Sequence, residues 1–280
     1  MKASQARVVL TGASGGIGQP VAQALLKAGA AVMLVGRSAA GLAAQASELS
    51  QLTGVKSPRI DFRVADLSRP EDLASLSVLA SAWGCNVLVH NAGLASFGRL
   101  QSLDARDIQA VVQTNLIAPM LLTQALLPHL LAQPKAQVIC VGSVLGRLGL
   151  PGFSAYSASK FGLRGFAEAL RRELQETAVK VQYLGPRSTR TDFNNAAVEA
   201  YNQATGTAMD SPQTVAVELL ALLESEAAER FVGFPESLAV RLNGLAPTWL
   251  DAGFKRNSRA LPAAATTDRP PVITPLSSPI

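Results

Sequence analysis

The chain has 280 residues, 48% apolar and 16% charged, enough to bury a substantial core in one large or two small domains. Its net charge of +5 suits an anionic ligand, but the lysines and arginines are scattered and form no dense tract, which argues against nucleic-acid binding. Cys85 and Cys140 sit far apart in apolar, strand-like runs, so a disulfide scaffold and a zinc or other metal site are both disfavoured and small buried side chains are expected.

The N-terminus, MKASQARVVL, lacks the apolar stretch of a signal peptide and leads directly into a strand, so a soluble, cytoplasmic protein is expected. In chain order, strands are predicted at 7–11, 31–36, 59–65, 86–90, 137–142, 179–184 and 230–234, several of them nearly continuous apolar runs. Helices are predicted at 17–28, 38–52, 70–82, 104–132, 154–177 and 211–226. The window 116–131 is the most membrane-like, but it is short for a span and interrupted by Pro119, Gln124, Pro128 and His129; it reads as a buried helix. Alternation of this kind predicts an α/β fold, a doubly wound parallel seven-stranded sheet with helices on both faces, forming a single domain over 1–235. An amphipathic helical extension is expected over 236–259, carrying Leu238, Val240, Leu242, Leu245, Trp249, Leu250 and Phe254, and a Pro/Ser/Thr-rich disordered tail over 260–280.

The first strand runs into TGASGGIG, in which Gly12, Gly16 and Gly18 are spaced one residue wider than in G-x-G-x-x-G. Glycines here let the backbone turn tightly and approach a pyrophosphate, while the following helix offers N–H groups and a positive dipole end. Ser14, Gly15 and Ile17 complete the predicted phosphate loop, and no Gly-Lys-Ser/Thr follows, which excludes a Walker-type loop. After the second strand, where NAD-binding chains carry an acid, Gly36 is followed by Arg37 and Ser38. A guanidinium there suits a 2′-phosphate, so NADP (NADPH) is favoured over NAD, with Ser38 assisting.

YSASK, residues 156–160, places Tyr156 and Lys160 one helical turn apart. With the glycine loop, Asn91-Ala92-Gly93 and YSASK in this order on one α/β pattern, the chain resembles the short-chain dehydrogenase/reductase family over about residues 6–235. The resemblance implies a Rossmann-type fold and a set of roles. Asp66 and Leu67 would contact adenine, and Asn91, Ala92 and Gly93 would flank the cofactor. Asn115 would position a water on the proton path. Ser143, thirteen residues before Tyr156, would hydrogen-bond the substrate carbonyl. Tyr156 would act as general acid, and Lys160 would lower the tyrosine pKa and hold the nicotinamide ribose. Structural alternatives stand beside several of these: Asp66 as a helix cap, Asn91 as a turn former, Asn115 as a structural hydrogen bonder, Ser143 as a loop hydroxyl. His90 reads as a core histidine.

The chain departs from the family after the sixth strand. In GPRSTRT, Pro186 and Thr191 fit a nicotinamide-binding loop with the backbone of Thr189, but Arg187 stands where glycine is expected. A positive φ there would be strained for arginine, and Arg187 and Arg190 are candidates for phosphate, for an acidic substrate group, or for outward-facing positions. Leu145, Phe153 and Phe193 would meet the substrate, an apolar or acyl carbonyl compound or its alcohol. The expected function is NADPH-dependent reduction of a ketone, with a 3-oxoacyl thioester as the leading specific substrate. A cofactor-binding sensor without turnover and an epimerase or dehydratase are the rivals. The resemblance also suggests a homodimer or homotetramer, and the C-terminal helix suggests a cleft cover, a subunit contact or peripheral membrane contact.

Overall fold

Continuous apolar runs become strands covered on both faces. The computed structural model describes residues 1–233, 243–244 and 246–263. Strands β1 (Arg7–Thr11), β2 (Ala31–Gly36), β3 (Ile60–Val64), β4 (Val87–His90), β5 (Ala136–Val141), β6 (Val179–Gly185) and β7 (Glu229–Phe231) form one sheet in the order β3-β2-β1-β4-β5-β6-β7. Every pairing is parallel. Strand order reverses between β1 and β4, and in sheets of this kind ligands bind outside the carboxyl ends of the strands at that switch.

Among the described residues, the helices with both ends defined are α1 (Gly18–Lys27), α2 (Ala39–Thr53), α3 (Pro70–Ala82), α4 (Ala105–Val112), α5 (Ala118–Leu131), α6 (Ser154–Glu173), α7 (Ala196–Thr205), α8 (Pro212–Ser225) and the short α9 (Lys255–Arg259). On one face of the sheet, Leu25 and Leu26 of α1, Leu42 of α2 and Leu219 of α8 bury against Val8, Leu10, Val32 and Val87. On the other, Leu76 of α3, Leu122 and Leu126 of α5 and Leu163 of α6 cover Val9, Met33, Leu88 and Val138. Each fully buried leucine contributes about 1.5–3 kcal/mol. The helical run Ala105–Leu131 is long and apolar enough by length and composition to cross a membrane, yet Leu122, Leu126 and Leu130 are wholly buried in the second core. That is the place of the buried helix expected from its prolines and polar residues.

The expected strands and helices appear within a residue or two, except that β7 stops at Phe231 rather than 234, α6 stops at Glu173 rather than 177, and the helix expected over 104–132 is divided into α4 and α5 by a π turn, Gln113–Ile117. α7 is a further helix, lying between the predicted strand 179–184 and the predicted helix 211–226. Its ends carry ordinary signals: Asn195 Oδ1 accepts from Val198 N at 3.0 Å, and Gly206 closes the helix at φ +73°. Of the expected C-terminal extension, 234–242 and 245 lie outside the described residues, as do 264–280 of the tail. The described part comprises the helical residues Asn243 and Gly244, then Ala246 and a 3₁₀ segment, Pro247–Phe254, running into α9.

Candidate active site

The glycine loop is fixed from below. Thr11, fully buried at the end of β1, donates to Val89 O at 3.2 Å and accepts from the main-chain N–H of Asn91 at 3.0 Å and of Ala92 at 3.1 Å. Asn91 returns the link, donating to Gly12 O at 2.9 Å and Thr11 O at 3.2 Å. It therefore fastens two loops together, which is more than the turn-forming alternative. Gly12 takes φ +62°, and a methyl there would stand 2.6 Å from Ala92 Cα, so the two loops meet backbone to backbone. Ser14, Gly15, Gly16 and Ile17 line a cleft of about 580 Å³; Gly18 sits under the loop, where a methyl would stand 2.7 Å from Ala13 C.

Arg37, Asp66 and Leu67 border one end of this cleft. Arg37 is exposed and therefore free to meet a ligand at the rim. Asp66 Oδ1 accepts from Ser68 N at 2.9 Å and Ser68 Oγ at 2.8 Å, which holds its carboxyl below the usual range. Arg69, not Asp66, occupies the cap position of α3, so the capping alternative is not realised. Ser38 is not among the cleft-lining residues: its hydroxyl caps α2, accepting from Gly41 N at 3.1 Å, a position the sequence reading assigned to the cofactor.

At the centre of the cleft stand Ser143, Tyr156 and Lys160, from the loop after β5 and the first turns of α6. Ser143 is held by Tyr183 of β6, whose hydroxyl donates to Ser143 O at 2.8 Å and accepts from Ser143 N at 3.0 Å. Sequence reasoning missed Tyr183, because inside VKVQYLG it reads as an ordinary strand aromatic. Burial pushes the Tyr156 phenol up to about 12, partly offset by the Ser143 side chain. Burial also brings Lys160 down to about 8. Its Nζ donates to Val141 O at 3.1 Å and lies 5.7 Å from the Tyr156 ring centroid. The one influence that lowers the Tyr156 pKa is thus the Ser143 side chain, whereas the sequence expectation gave that role to Lys160. Desolvation is the leading cause of both shifts.

Asn115 is fully buried in a π-helical turn, Gln113–Ile117, where Ala118 N donates to Gln113 O. Its side chain accepts from Leu94 N at 2.7 Å and donates to Leu94 O at 3.0 Å and Ser159 Oγ at 3.1 Å. Those bonds tie the loop after β4 to α6, the structural role named as the alternative. Gly93 leaves the space this requires, a methyl there falling 3.3 Å from Asn115 Oδ1 and 3.7 Å from Lys160 Nζ. His90 pairs with Thr123 Oγ1 at 2.8 Å and is driven down to about 3 by burial, a neutral core histidine as expected. Cys85 and Cys140 are buried free thiols pushed up to about 12.

Pro186, Thr189 and Thr191 line the cleft beyond β6. Arg187 does not carry a positive φ, and its side chain is neither outward-facing nor offered to a ligand phosphate. It is mostly buried in a forked pair with Asp210, with N···O distances of 3.0 and 2.7 Å. Arg190 faces outward and donates to Met209 O. Leu145, Phe153 and Phe193 all line the cleft, the Phe193 and Tyr156 rings standing 6.0 Å apart. Phe254 and Asn257 of the C-terminal segment join them, Leu250 and Phe254 packing on Val144, Leu145 and Leu148. Asn257 Nδ2 donates to the Tyr201 hydroxyl at 3.0 Å, and Arg256 donates to Ala204 O at 2.7 Å. The described part of the extension therefore contributes to the cleft lining.

A glycine cradle at the switch point, a helix N-terminus behind it and a cleft reaching from Arg37 to Tyr156 fit a dinucleotide. A sequence-family model described as short chain dehydrogenase matches residues 6–202. The chain belongs to the short-chain dehydrogenase family. It is 33% identical over 252 residues to dehydrogenase/reductase SDR family member 7B of Bos taurus, covering 86% of this chain and 77% of that protein. It is 36% identical over 181 residues to the ketoacyl reductase HetN of a Nostoc strain, covering 64% and 62%. Among solved structures, an actinorhodin polyketide ketoreductase with NADPH superposes with a TM-score of 0.73 at 27% identity, covering 83% of this chain and 97% of that one. A Sphingobium yanoikuyae short-chain dehydrogenase in complex with NADPH gives 0.75 at 25% identity, covering 94% and 99%. This family member is an NAD(P)-dependent dehydrogenase or reductase, and the nicotinamide, when bound, supplies or accepts the hydride.

Proposed function

We propose that the protein reduces an apolar ketone, with a 3-oxoacyl thioester as the leading candidate, using NADPH and Tyr156 as the general acid. The observation that carries this reading is the grouping of Ser143, Tyr156 and Lys160 at the centre of the cleft, with Ser143 clamped at its main chain by Tyr183. A substrate carbonyl oxygen would accept from the Ser143 and Tyr156 hydroxyls. As negative charge develops on that oxygen, both donors stabilise it and Tyr156 gives up its proton to it. The phenolate left behind faces Lys160, whose pKa near 8 leaves it mostly charged at pH 7. A phenol held near 12 keeps its proton until the oxygen becomes basic enough to take it, which suits the reductive direction.

Three features support the substrate class and the cofactor. The charged residues lining the cleft, among the described residues, are Arg37, Asp66, Lys160 and Arg187, and none stands on the wall made by Leu145, Phe153, Phe193 and Phe254. Exposed Arg37 suits a 2′-phosphate. HetN is a ketoacyl reductase and the actinorhodin enzyme a polyketide ketoreductase, and the two solved structures above carry NADPH.

The test is loss of NADPH absorbance with a panel of ketones, aldehydes and 3-oxoacyl thioesters. Tyr156→Phe should lower kcat by about 10²–10⁴-fold while NADPH affinity by fluorescence titration stays unchanged. Unaltered turnover in that variant would remove Tyr156 from the chemistry.

A further inference from the structure

Arg187 is the residue at which this chain leaves the family pattern, and the proposed reaction makes no use of its charge. Its guanidinium forks onto Asp210, Nε to Oδ2 at 3.0 Å and Nη2 to Oδ1 at 2.7 Å, with only 16% and 13% of the two side chains exposed. Asp210 is also the main-chain partner of the same loop. Its N–H donates to Ser188 O at 2.9 Å, and its carbonyl accepts from Arg190 N at 2.9 Å. Thr189 pairs with it as a parallel bridge, and the Thr189 hydroxyl donates to Arg187 O. At its near end the loop is tied to the serine loop by Val144 N donating to Pro186 O at 2.8 Å. At its far end Thr191 lies against Gly16, leaving no room there for a methyl. The stem of Arg187 crosses Gly233 at φ +93°, where a methyl would stand 2.6 Å from Arg187 Cδ.

We infer that Arg187 and Asp210 form a positioning pair that holds the loop 186–191 at the nicotinamide end of the cleft. Where a glycine would reach this arrangement through backbone freedom, the chain uses a buried bidentate ion pair, with Gly233 making room for the arginine stem. Arg–carboxylate forks are geometrically demanding, which suits a role in placement rather than in attraction of a ligand. Disturbing either residue removes this fork in a mostly buried setting and loosens the loop. The inference rests on the dinucleotide reading above, and predicts a defect confined to one end of that ligand.

The experiment compares wild type, Arg187→Gly, Asp210→Asn and the double variant, each titrated with NADPH and with adenosine 2′,5′-bisphosphate, which lacks the nicotinamide half. Each single variant should bind NADPH about tenfold more weakly, the loss of one aligned hydrogen bond to the carboxamide. Adenosine 2′,5′-bisphosphate should bind all four proteins equally, and the double variant should be no worse than the singles, since the two residues act as a unit. Melting temperature without ligand serves as the check on folding. NADPH binding unchanged or tightened in the singles overturns the inference, as do equal losses for both ligands or additive losses in the double variant. Those results leave the dinucleotide reading intact, whereas a wild type that binds neither NADPH nor NADH overturns both.

Discussion

Lys160 is predicted to destabilise the ligand-free protein at neutral pH, and Lys160→Met should reveal it. The ammonium is 4% exposed and has one hydrogen bond, to Val141 O at 3.1 Å, so burial lowers its pKa from 10.5 to about 8. That drop, at about 1.36 kcal/mol per pH unit, places a penalty of about 3 kcal/mol on the folded state at pH 7. The sign follows from proton counts. Between pH 8 and 10.5 the unfolded chain holds this proton and the folded chain has lost it, so raising the pH stabilises the fold relative to the variant. About 2 kcal/mol of the penalty should be relieved between pH 7 and pH 9.5. Methionine keeps the apolar stem and forfeits the bond to Val141 O, worth about 1 kcal/mol. The variant should then be about 2 kcal/mol more stable than wild type at pH 7, and nearly equal to it at pH 9.5. Urea unfolding at the two pH values, without cofactor, measures both. A stability difference independent of pH, or one that widens as pH rises, would refute the reasoning.

The other predictions concern residues that hold the site rather than react. Tyr183→Phe removes the hydroxyl bound to both Ser143 N and Ser143 O; Ser143 O keeps its bond from Gly146 N, while the buried Ser143 N loses its acceptor at a cost of about 1–3 kcal/mol. Its kcat should fall about tenfold with NADPH affinity unchanged, which steady-state kinetics beside a fluorescence titration would show. Thr11→Val keeps the shape but strands Val89 O, Asn91 N and Ala92 N, so the midpoint of urea denaturation should drop by the equivalent of about 1–3 kcal/mol. Arg37→Ala should weaken NADPH about 10- to 100-fold and leave NADH unaffected, as expected for one charge-assisted contact to the 2′-phosphate; parallel titrations with the two dinucleotides decide it.

Most of the sheet was legible because its strands are buried on both faces, and a parallel strand so placed must be apolar at nearly every position. β5, for example, is buried along all of Ala136–Val141. The glycine loop was legible for a related reason: Gly12 needs a positive φ and contact with Ala92, and sequence records such needs as glycine. The Tyr183 clamp and the Arg187–Asp210 pair left no such record. Their partners are 40 and 23 residues apart in sequence, and each residue taken alone has a commonplace reading. α7 was missed for a different reason: its polarity is mixed, although Asn195 and Gly206 mark its ends.

YSASK shows what spacing can and cannot carry. One helical turn brings Tyr156 and Lys160 to the same face, and that much depends only on helix geometry. Whether the cation then acidifies the phenol depends on a competition between attraction and desolvation, and desolvation is a property of everything packed around the pair. Here α6 and the serine loop bury both groups, moving the phenol up to about 12 and the ammonium down to about 8. The two pKa values approach the neutral pair from opposite sides: each group alone resists charge. A phenolate formed during turnover would reverse part of this, because its charge favours the protonated lysine. Attraction between the pair therefore matters most after proton transfer. On this argument Lys160 stabilises the product of the proton-transfer step more than it primes the resting tyrosine. A pH–rate profile for reduction should accordingly decline as Lys160 deprotonates near pH 8 or above, with no limb from Tyr156 below pH 10. A further decline below pH 10 that moves to lower pH when Tyr156 is replaced by a fluorotyrosine would show that the resting phenol is already activated, and the argument would fail.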